Sequence, residues 1–151
     1  MQRSERGEFK PFDASDWRVG VAVAKFNADI TGQLLDSALE RAKDYRLDKM
    51  DITEVAGSIE LPLALQSLAR SGKYRALLAV GCVIQGETPH FDYVCKFVCE
   101  GVLRVQLDEH MPIGFGVLTC ADLAQAQARA HLGGEHLDAV MQQARAISSR
   151  G

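Results

Sequence analysis

The sequence predicts an α/β chain: a three-layer α/β/α sandwich around a flavodoxin-like four-stranded parallel sheet in the order 2-1-3-4. Three observations carry this. Short apolar runs rich in valine, leucine and alanine lack the polar alternation of a half-exposed strand and suit strands covered on both faces. Between the runs, apolar residues recur at helical spacing. The resulting order, βαβαβαβαα, calls for right-handed crossovers and hence parallel strands.

The first strand is Val19 to Ala24, and Ile30, Leu34, Leu35, Ala38, Leu39 and Ala42 then define a helix ending near Tyr45, with Asp29 and Thr31 as candidate caps. Met50 to Val55 is the second strand. A turn at Ala56-Gly57-Ser58 leads into a helix marked by Leu61, Ala64, Leu65 and Leu68, whose first turn suits Pro62. Ala76 to Ile84 is the third strand, followed by the polar loop Gln85-Gly86-Glu87-Thr88-Pro89 and a long helix from Phe91 to Asp108. Ile113 to Leu118 is the fourth strand. Thr119-x-x-Asp122 reads as a capping box opening a weakly amphipathic helix, and Leu137, Val140, Met141, Ala144 and Ile147 mark the last one. The charge-dense start, residues 1–17, reads as a flexible or edge-docked arm, and 18–151 as a single domain.

The 151 residues leave room for one domain of ordinary size. Seventeen basic against 20 acidic residues, a formal charge of -3, give no surplus for a phosphate backbone, so nucleic acid is not an expected partner. Cys82, Cys95, Cys99 and Cys120 form no C-x-x-C pair and read as reduced thiols. Met1 to Pro11 has too many charges for a signal peptide's apolar core, and the longest apolar run, Ala76 to Ile84, is far short of the ~20 residues that span a bilayer. A soluble cytoplasmic protein with no membrane partner is expected.

The long third helix carries Asp92, Lys96, Glu100, Arg104 and Asp108 four apart on one narrow stripe, and almost everything else on it is apolar. One sheet face cannot cover so much, so the surplus predicts a subunit interface; a crowded monomeric core is the alternative.

In doubly wound sheets, ligands bind beyond the carboxyl ends of the strands where the winding reverses, here between the first and third. That rule selects Lys25, Phe26 and Asn27, then Ser58, Ile59 and Glu60, then Gln85 to His90. The loop through Gly86, Glu87 and Thr88 enters a helix and offers N–H groups to an anion, with Glu87 turned away. His90 can transfer protons or simply hydrogen-bond at the helix start. Phe26 can stack on a planar ligand or pack in the core, and Glu60 can accept from a polyol or complement a helix terminus. Neither Walker A nor G-x-G-x-x-G occurs, and His110, His131 and His136 lack metal-ligand spacing.

The run Gly81-Cys82-Val83-Ile84-Gln85-Gly86-Glu87-Thr88-Pro89-His90-Phe91-Asp92-Tyr93-Val94 closely resembles the signature of the 6,7-dimethyl-8-ribityllumazine synthase family. Lys25-Phe26-Asn27, Gly57-Ser58-Ile59-Glu60-Leu61-Pro62, Pro112 to Thr119 and Gln125 to Ala130 extend the likeness in the family's order. The resemblance implies condensation of 5-amino-6-(ribitylamino)uracil with 3,4-dihydroxy-2-butanone 4-phosphate, releasing phosphate and water, with no metal or organic cofactor. It implies Phe26 stacked on the uracil ring with Asn27 beside it. Ser58, Ile59 and Glu60 would bind ring and ribityl chain, and Val83 and Ile84 the pyrimidine edge. Gly86, Glu87 and Thr88 would hold phosphate, and His90 would be the general acid/base. A neighbouring subunit would add Phe115 and Arg129.

Three departures stand out. Gln85 and Lys25 occupy positions where the family often has arginine, and the segment from Arg129 to His136 is short and lacks a phosphate-contacting lysine, with Gly133 or a neighbour in its place. His131 or His136, when protonated, could substitute. The short segment favours a free pentamer or a pair of pentamers over an icosahedral shell, and the arm is expected on a neighbour's sheet edge. A lumazine- or flavin-binding paralogue and an assembly scaffold are the alternatives to an enzyme.

Overall fold

Along the chain the elements are β1 (Val19–Ala24), α1 (Ala28–Ala42), β2 (Met50–Val55), α2 (Leu61–Arg70), β3 (Ala76–Ile84), α3 (His90–Asp108), β4 (Ile113–Cys120), α4 (Leu123–Arg129) and α5 (Gly133–Ser148). Single 3-10 turns at Lys43–Tyr45, Ser58–Glu60 and Ala130–Leu132 link some of them. The structure is a computed structural model describing residues 9–86 and 89–148. Glu87 and Thr88 of the anticipated phosphate loop, and Met1 to Glu8 of the arm, lie outside the described residues.

The sheet is parallel throughout, in the order β2-β1-β3-β4. β1 is buried along its whole length and β3 nearly so, as their unbroken apolar runs require. Val19, Val21, Val23, Leu78, Val80 and Cys82 face α1 and α5, while Ala22, Leu77 and Ala79 face α2 and α3. This alternation divides the core into the two layers of the sandwich.

Two helix starts differ from expectation. α1 is capped by Asn27, in the left-handed region at φ 62°, ψ 50°, whose carbonyl accepts from Ile30 and Thr31 N–H. Thr31 is buried inside the helix, and Asp29 sits in the first turn, where its charge suits the dipole. Thr119 belongs to β4. The cap of α4 is Asp122, which accepts from Gln125 N–H at 2.8 Å while the Gln125 side chain accepts from Ala121 N–H at 2.8 Å. This is capping-box chemistry displaced by three residues.

The α1–α5 contact is unusually close. Gly133 lies against the Leu34 main chain, and a Cβ there would overlap the Leu34 carbonyl oxygen. Ser37 reinforces the crossing by donating to His131 O at 2.7 Å and accepting from Gly134 N–H at 2.9 Å. Nearby, Asp138 is buried yet accepts from Tyr45 OH at 2.6 Å and Arg41 Nε at 2.8 Å. The segment before β1 is tied to this network: Arg41 donates to Phe9 O, Gln142 to Lys10 O, and Phe12 packs edge-on against both Trp17 and Tyr45. Ala14 and Trp17 are buried in the same core, so this part of the segment grouped with the arm is packed against the domain.

The outer side of α3 is both polar and apolar. Val94, Val98, Val102 and Val105 face the sheet. Tyr93, Phe97, Leu103 and Leu107 are exposed, interleaved with the row Asp92, Lys96, Glu100, Arg104 and Asp108. Between α2 and α3, where Pro62 packs over Gly101, a groove of about 360 Å³ is lined by Ile59, Leu63 and Phe97 among others.

Burial, with the Asp138 carboxylate at its hydroxyl, pushes the Tyr45 phenol up to about 12 from 10.0. A phenol whose folded pKa exceeds its unfolded one contributes stability that is complete below pH 10 and lost as pH rises through 12. Denaturant unfolding should therefore weaken by up to roughly 3 kcal/mol across that window. In Tyr45→Phe this segment of the pH dependence should vanish, and an unchanged alkaline slope would contradict the assignment.

Candidate functional site

Past the carboxyl ends of β1 and β3 the chain forms a cavity of about 410 Å³. Three segments build it. Phe26 and Asn27 come from the β1–α1 turn, Gly57 to Glu60 from the turn before α2, and Val83, Ile84 and Gly86 from the end of β3. His90, Phe91 and Val94, on the first turns of α3, close the remaining side. Of the described residues expected in one chain's site, Phe26, Asn27, Ser58, Ile59, Glu60, Val83, Ile84, Gly86 and His90 line this cavity, whereas Lys25, Gln85 and Pro89 of the same loops do not. Gly57, Phe91 and Val94 were not in that set; the helical pattern had marked Phe91 and Val94 only as apolar surface of α3.

The backbone explains the convergence. The β1–β3 ladder ends at Val23–Val80, whereas β3 stays paired with β4 as far as Ile84–Cys120. β3 thus extends past β1 with one edge open. Lys25 N–H and Phe26 N–H bond to Val55 O and Ala56 O, holding the first turn to the β2 side. Phe26 is consequently 72% exposed, standing over the cavity rather than packing in the core. Glu60 accepts from Gly57 N–H at 2.9 Å, which closes its own turn and leaves the rest of its carboxylate at an exposed cavity wall.

Two polar groups differ sharply in their surroundings. The Asn27 side chain donates to Cys82 O at 2.8 Å, so its amide N–H is engaged by the protein. The Ser58 hydroxyl is buried and has no hydrogen-bond partner among the described residues. Gly81 makes room for it, since a Cβ there would stand 2.6 Å from Ser58 Oγ and 3.2 Å from Leu61 Cδ1. Beneath the cavity, burial pushes the Cys82 thiol up to about 11, with Cys120 adding to the effect, and burial raises the Cys120 thiol too. Both are neutral thiols without nucleophilic character near pH 7. Among the described residues, no three His, Cys, Asp or Glu side chains converge as a metal-binding group.

Phe115 and Arg129 do not line this cavity. Phe115 packs partly buried with the α2/α3 layer. Arg129 is exposed at the end of α4, donates to Gln125 O at 3.0 Å, and borders an open cleft of about 770 Å³ with His131, Arg41, Glu40, Asp44 and Glu135. The cleft's charges largely satisfy each other, as in the Arg41–Asp44 and Arg41–Asp138 pairs. Gly133 is excluded as a place for a cation by its contact with Leu34. His136 packs over β4 at Gly116, leaving His131 as the exposed histidine beside Arg129.

Fold and cavity together define a flavodoxin-like α/β protein with an open cavity at the point where the sheet's winding reverses. The sequence comparisons narrow that class. The family model described as 6,7-dimethyl-8-ribityllumazine synthase matches residues 16–148. Proteins of that name are similar to this chain across most of its length. One from Thermococcus kodakarensis is 44% identical over 124 residues, covering 82% of this chain and 78% of the relative. One from Frankia casuarinae is 46% identical, covering 80% and 75%, and one from a Nocardioides species is 43% identical, covering 85% and 79%. The chain belongs to the 6,7-dimethyl-8-ribityllumazine synthase family.

A buried hydroxyl without a partner costs stability. Ser58→Ala should thus leave the melting temperature unchanged or raise it. Gly81→Ala should lower stability by about 1–3 kcal/mol through overpacking, and adding Ser58→Ala should recover part of the loss. Equal melting of the single Gly81→Ala variant and the double variant would refute this packing relation.

Proposed function

We propose that this chain is a lumazine synthase of riboflavin biosynthesis, condensing 5-amino-6-(ribitylamino)uracil with 3,4-dihydroxy-2-butanone 4-phosphate. The observation that carries the reading is the gathering of Phe26, Ser58, Ile59, Glu60, Val83, Ile84, Gly86 and His90 around one cavity in a chain of this family. Phe26 stacks on the uracil ring, the Val83–Ile84 segment meets its polar edge, and Ser58 and Glu60 take the ribityl hydroxyls. The phosphate lies by Gly86, Glu87 and Thr88.

The substrate's own amine is the nucleophile. It adds to the ketone carbon, and the carbinolamine loses water to give an imine. A C–H proton then leaves and the C–O bond to phosphate breaks, releasing inorganic phosphate. The enol left behind takes up a proton at its terminal carbon and becomes a methyl ketone; the ribitylamino nitrogen then attacks this new carbonyl and a second water departs, closing the ring. Each step moves a proton, and His90 at the cavity rim is the group to carry it. Orientation of two bound substrates supplies the rest of the acceleration.

The site is completed between subunits of a cytoplasmic homo-oligomer, a pentamer being favoured over a 60-subunit shell. The exposed apolar side of α3 and the groove beside Leu63 support assembly. A neighbour's Phe115 would cover the ring, and its Arg129, with His131 beside it, would face the phosphate. No lysine stands with them in the segment from Arg129 to His136.

Mixing purified protein with both substrates should generate the lumazine chromophore well above the spontaneous rate. His90→Ala should lower kcat on the order of a hundredfold. Turnover no faster than the uncatalysed condensation would overturn the reading. Leu63→Glu and Phe97→Glu should yield monomers by sedimentation that have lost most activity while remaining folded; active monomers would refute the shared site.

A further inference from the structure

The cavity contains a residue, expected beside the pyrimidine ring, whose side chain crosses from one wall to another. Asn27 sits at φ 62°, ψ 50°, a conformation in which asparagine and glycine are the ordinary occupants. Its neighbours hold the turn through main-chain bonds to β2's side and to α1: Lys25 N–H to Val55 O, Phe26 N–H to Ala56 O, and Asn27 O from Ile30 and Thr31 N–H. The side chain does something different, reaching β3 to donate to Cys82 O at 2.8 Å.

That carbonyl is the first one on the edge of β3 left open by β1, whose pairing stops at Val80. In a parallel ladder, main-chain groups of alternate residues point to the same edge. Gln85 N–H bonds to Cys120 O on the β4 side, which assigns Cys82 and Ile84 to the opposite, open edge. Asn27 therefore occupies the open edge at Cys82, and the next main-chain pair facing the cavity is that of Ile84, itself a lining residue.

We propose that Asn27 is a positioning residue: by bonding Cys82 O it sets the depth of the site, fixes Phe26 over it, and reserves the main-chain groups of Ile84 for the polar edge of the pyrimidine substrate. This rests on the reading of the cavity as the pyrimidine site. The residue type follows from three demands met together. Glycine accepts the backbone conformation but has no donor. Aspartate accepts it but would point a carboxylate at a carbonyl oxygen. Glutamine has the donor on a longer arm that suits neither the conformation nor the span.

The test compares the full-length assembly with Asn27→Gly, Asn27→Asp, Phe26→Ala and the Phe26→Ala/Asn27→Gly double variant. Asn27→Gly keeps the backbone ties, so it should melt within a few degrees of the parent. It should raise KM for the pyrimidine substrate about tenfold, the equivalent of one lost hydrogen bond, with KM for the phosphorylated ketone unchanged. Asn27→Asp should be at least as impaired. Because part of the Asn27 effect runs through Phe26, the double variant should lose less than the sum of the two single variants. Equal rises in both KM values, an unchanged pyrimidine KM, or additive losses would each overturn the proposal. Amide hydrogen exchange supplies a readout free of substrate: residues 25–31 should exchange faster in Asn27→Gly while the core of β1 and β3 stays protected. If the parent neither turns over nor binds the lumazine product, the functional reading fails. Exchange then still decides whether Asn27 anchors the turn, and unchanged exchange would refute that anchoring.

Discussion

The arrangement rests on a mismatch of strand reach. β3 and β4 pair as far as Ile84 and Cys120, whereas β1 releases β3 after Val80. A parallel strand that outruns its neighbour presents main-chain donors and acceptors that must find partners. Here α1 leaves toward one layer and α2 and α3 toward the other, so the open edge becomes the floor of a cavity. Without that overhang, β1 would seal β3, Ser58 would have no cavity to face, and His90 would start a helix over a closed sheet.

Such a site has energetic costs. Asn27 is held in the left-handed region, Phe26 is largely in solvent, and the Ser58 hydroxyl is buried without a partner among the described residues. Stability comes from the body of the α1/α5 layer, where apolar packing is dense and Asp138, the one buried carboxylate among the described residues, is bonded to both Tyr45 and Arg41. The N-terminal segment adds Phe12 and Trp17 to that layer, with Arg145 and Arg75 over their rings. The costs thus fall in the loops past the strand ends while the support lies in the packed body of the layer below them, which is how a fold tolerates local violations.

This division also explains what could be read in the sequence. β1, β2 and β3 are legible residue by residue, because strands buried in a parallel sheet need apolar runs and a half-exposed edge strand needs a mixed one. Topology alone reaches Phe26, Asn27, Ser58, Ile59, Glu60, Gly86 and His90, whereas Val83 and Ile84 come from the family resemblance and Gly57, Phe91 and Val94 from neither. What escaped depends on particular atoms. Asn27 replaced Asp29 and Thr31 as the α1 cap because its side chain was claimed by a carbonyl 55 positions away, a partner no local pattern reveals. Asp122 caps α4 because β4 runs two residues beyond its apolar stretch and absorbs Thr119. Phe12 and Trp17 were hidden among charges, although aromatic residues there had a core to join. Gly133 looked like a substituted lysine position, while its contact with Leu34 depends on a helix crossing visible only in three dimensions.

That crossing bears on how the proposed reaction can handle phosphate. Since α5 cannot begin with a side chain at Gly133 and still approach α1, the positive charge of this segment stays with Arg129, which has His131 beside it. Both are exposed and neither reaches its own chain's cavity. Phosphate recognition in the proposed enzyme then becomes a property of the assembled subunits, with anion binding within one chain reduced to main-chain groups around Gly86. The same logic accounts for α3, where charged residues alternate with Tyr93, Phe97 and Leu107 on one outward side. A surface that must both bury against a neighbour and keep its register benefits from having its apolar contacts divided by charges, since a misaligned partner would leave those charges unpaired.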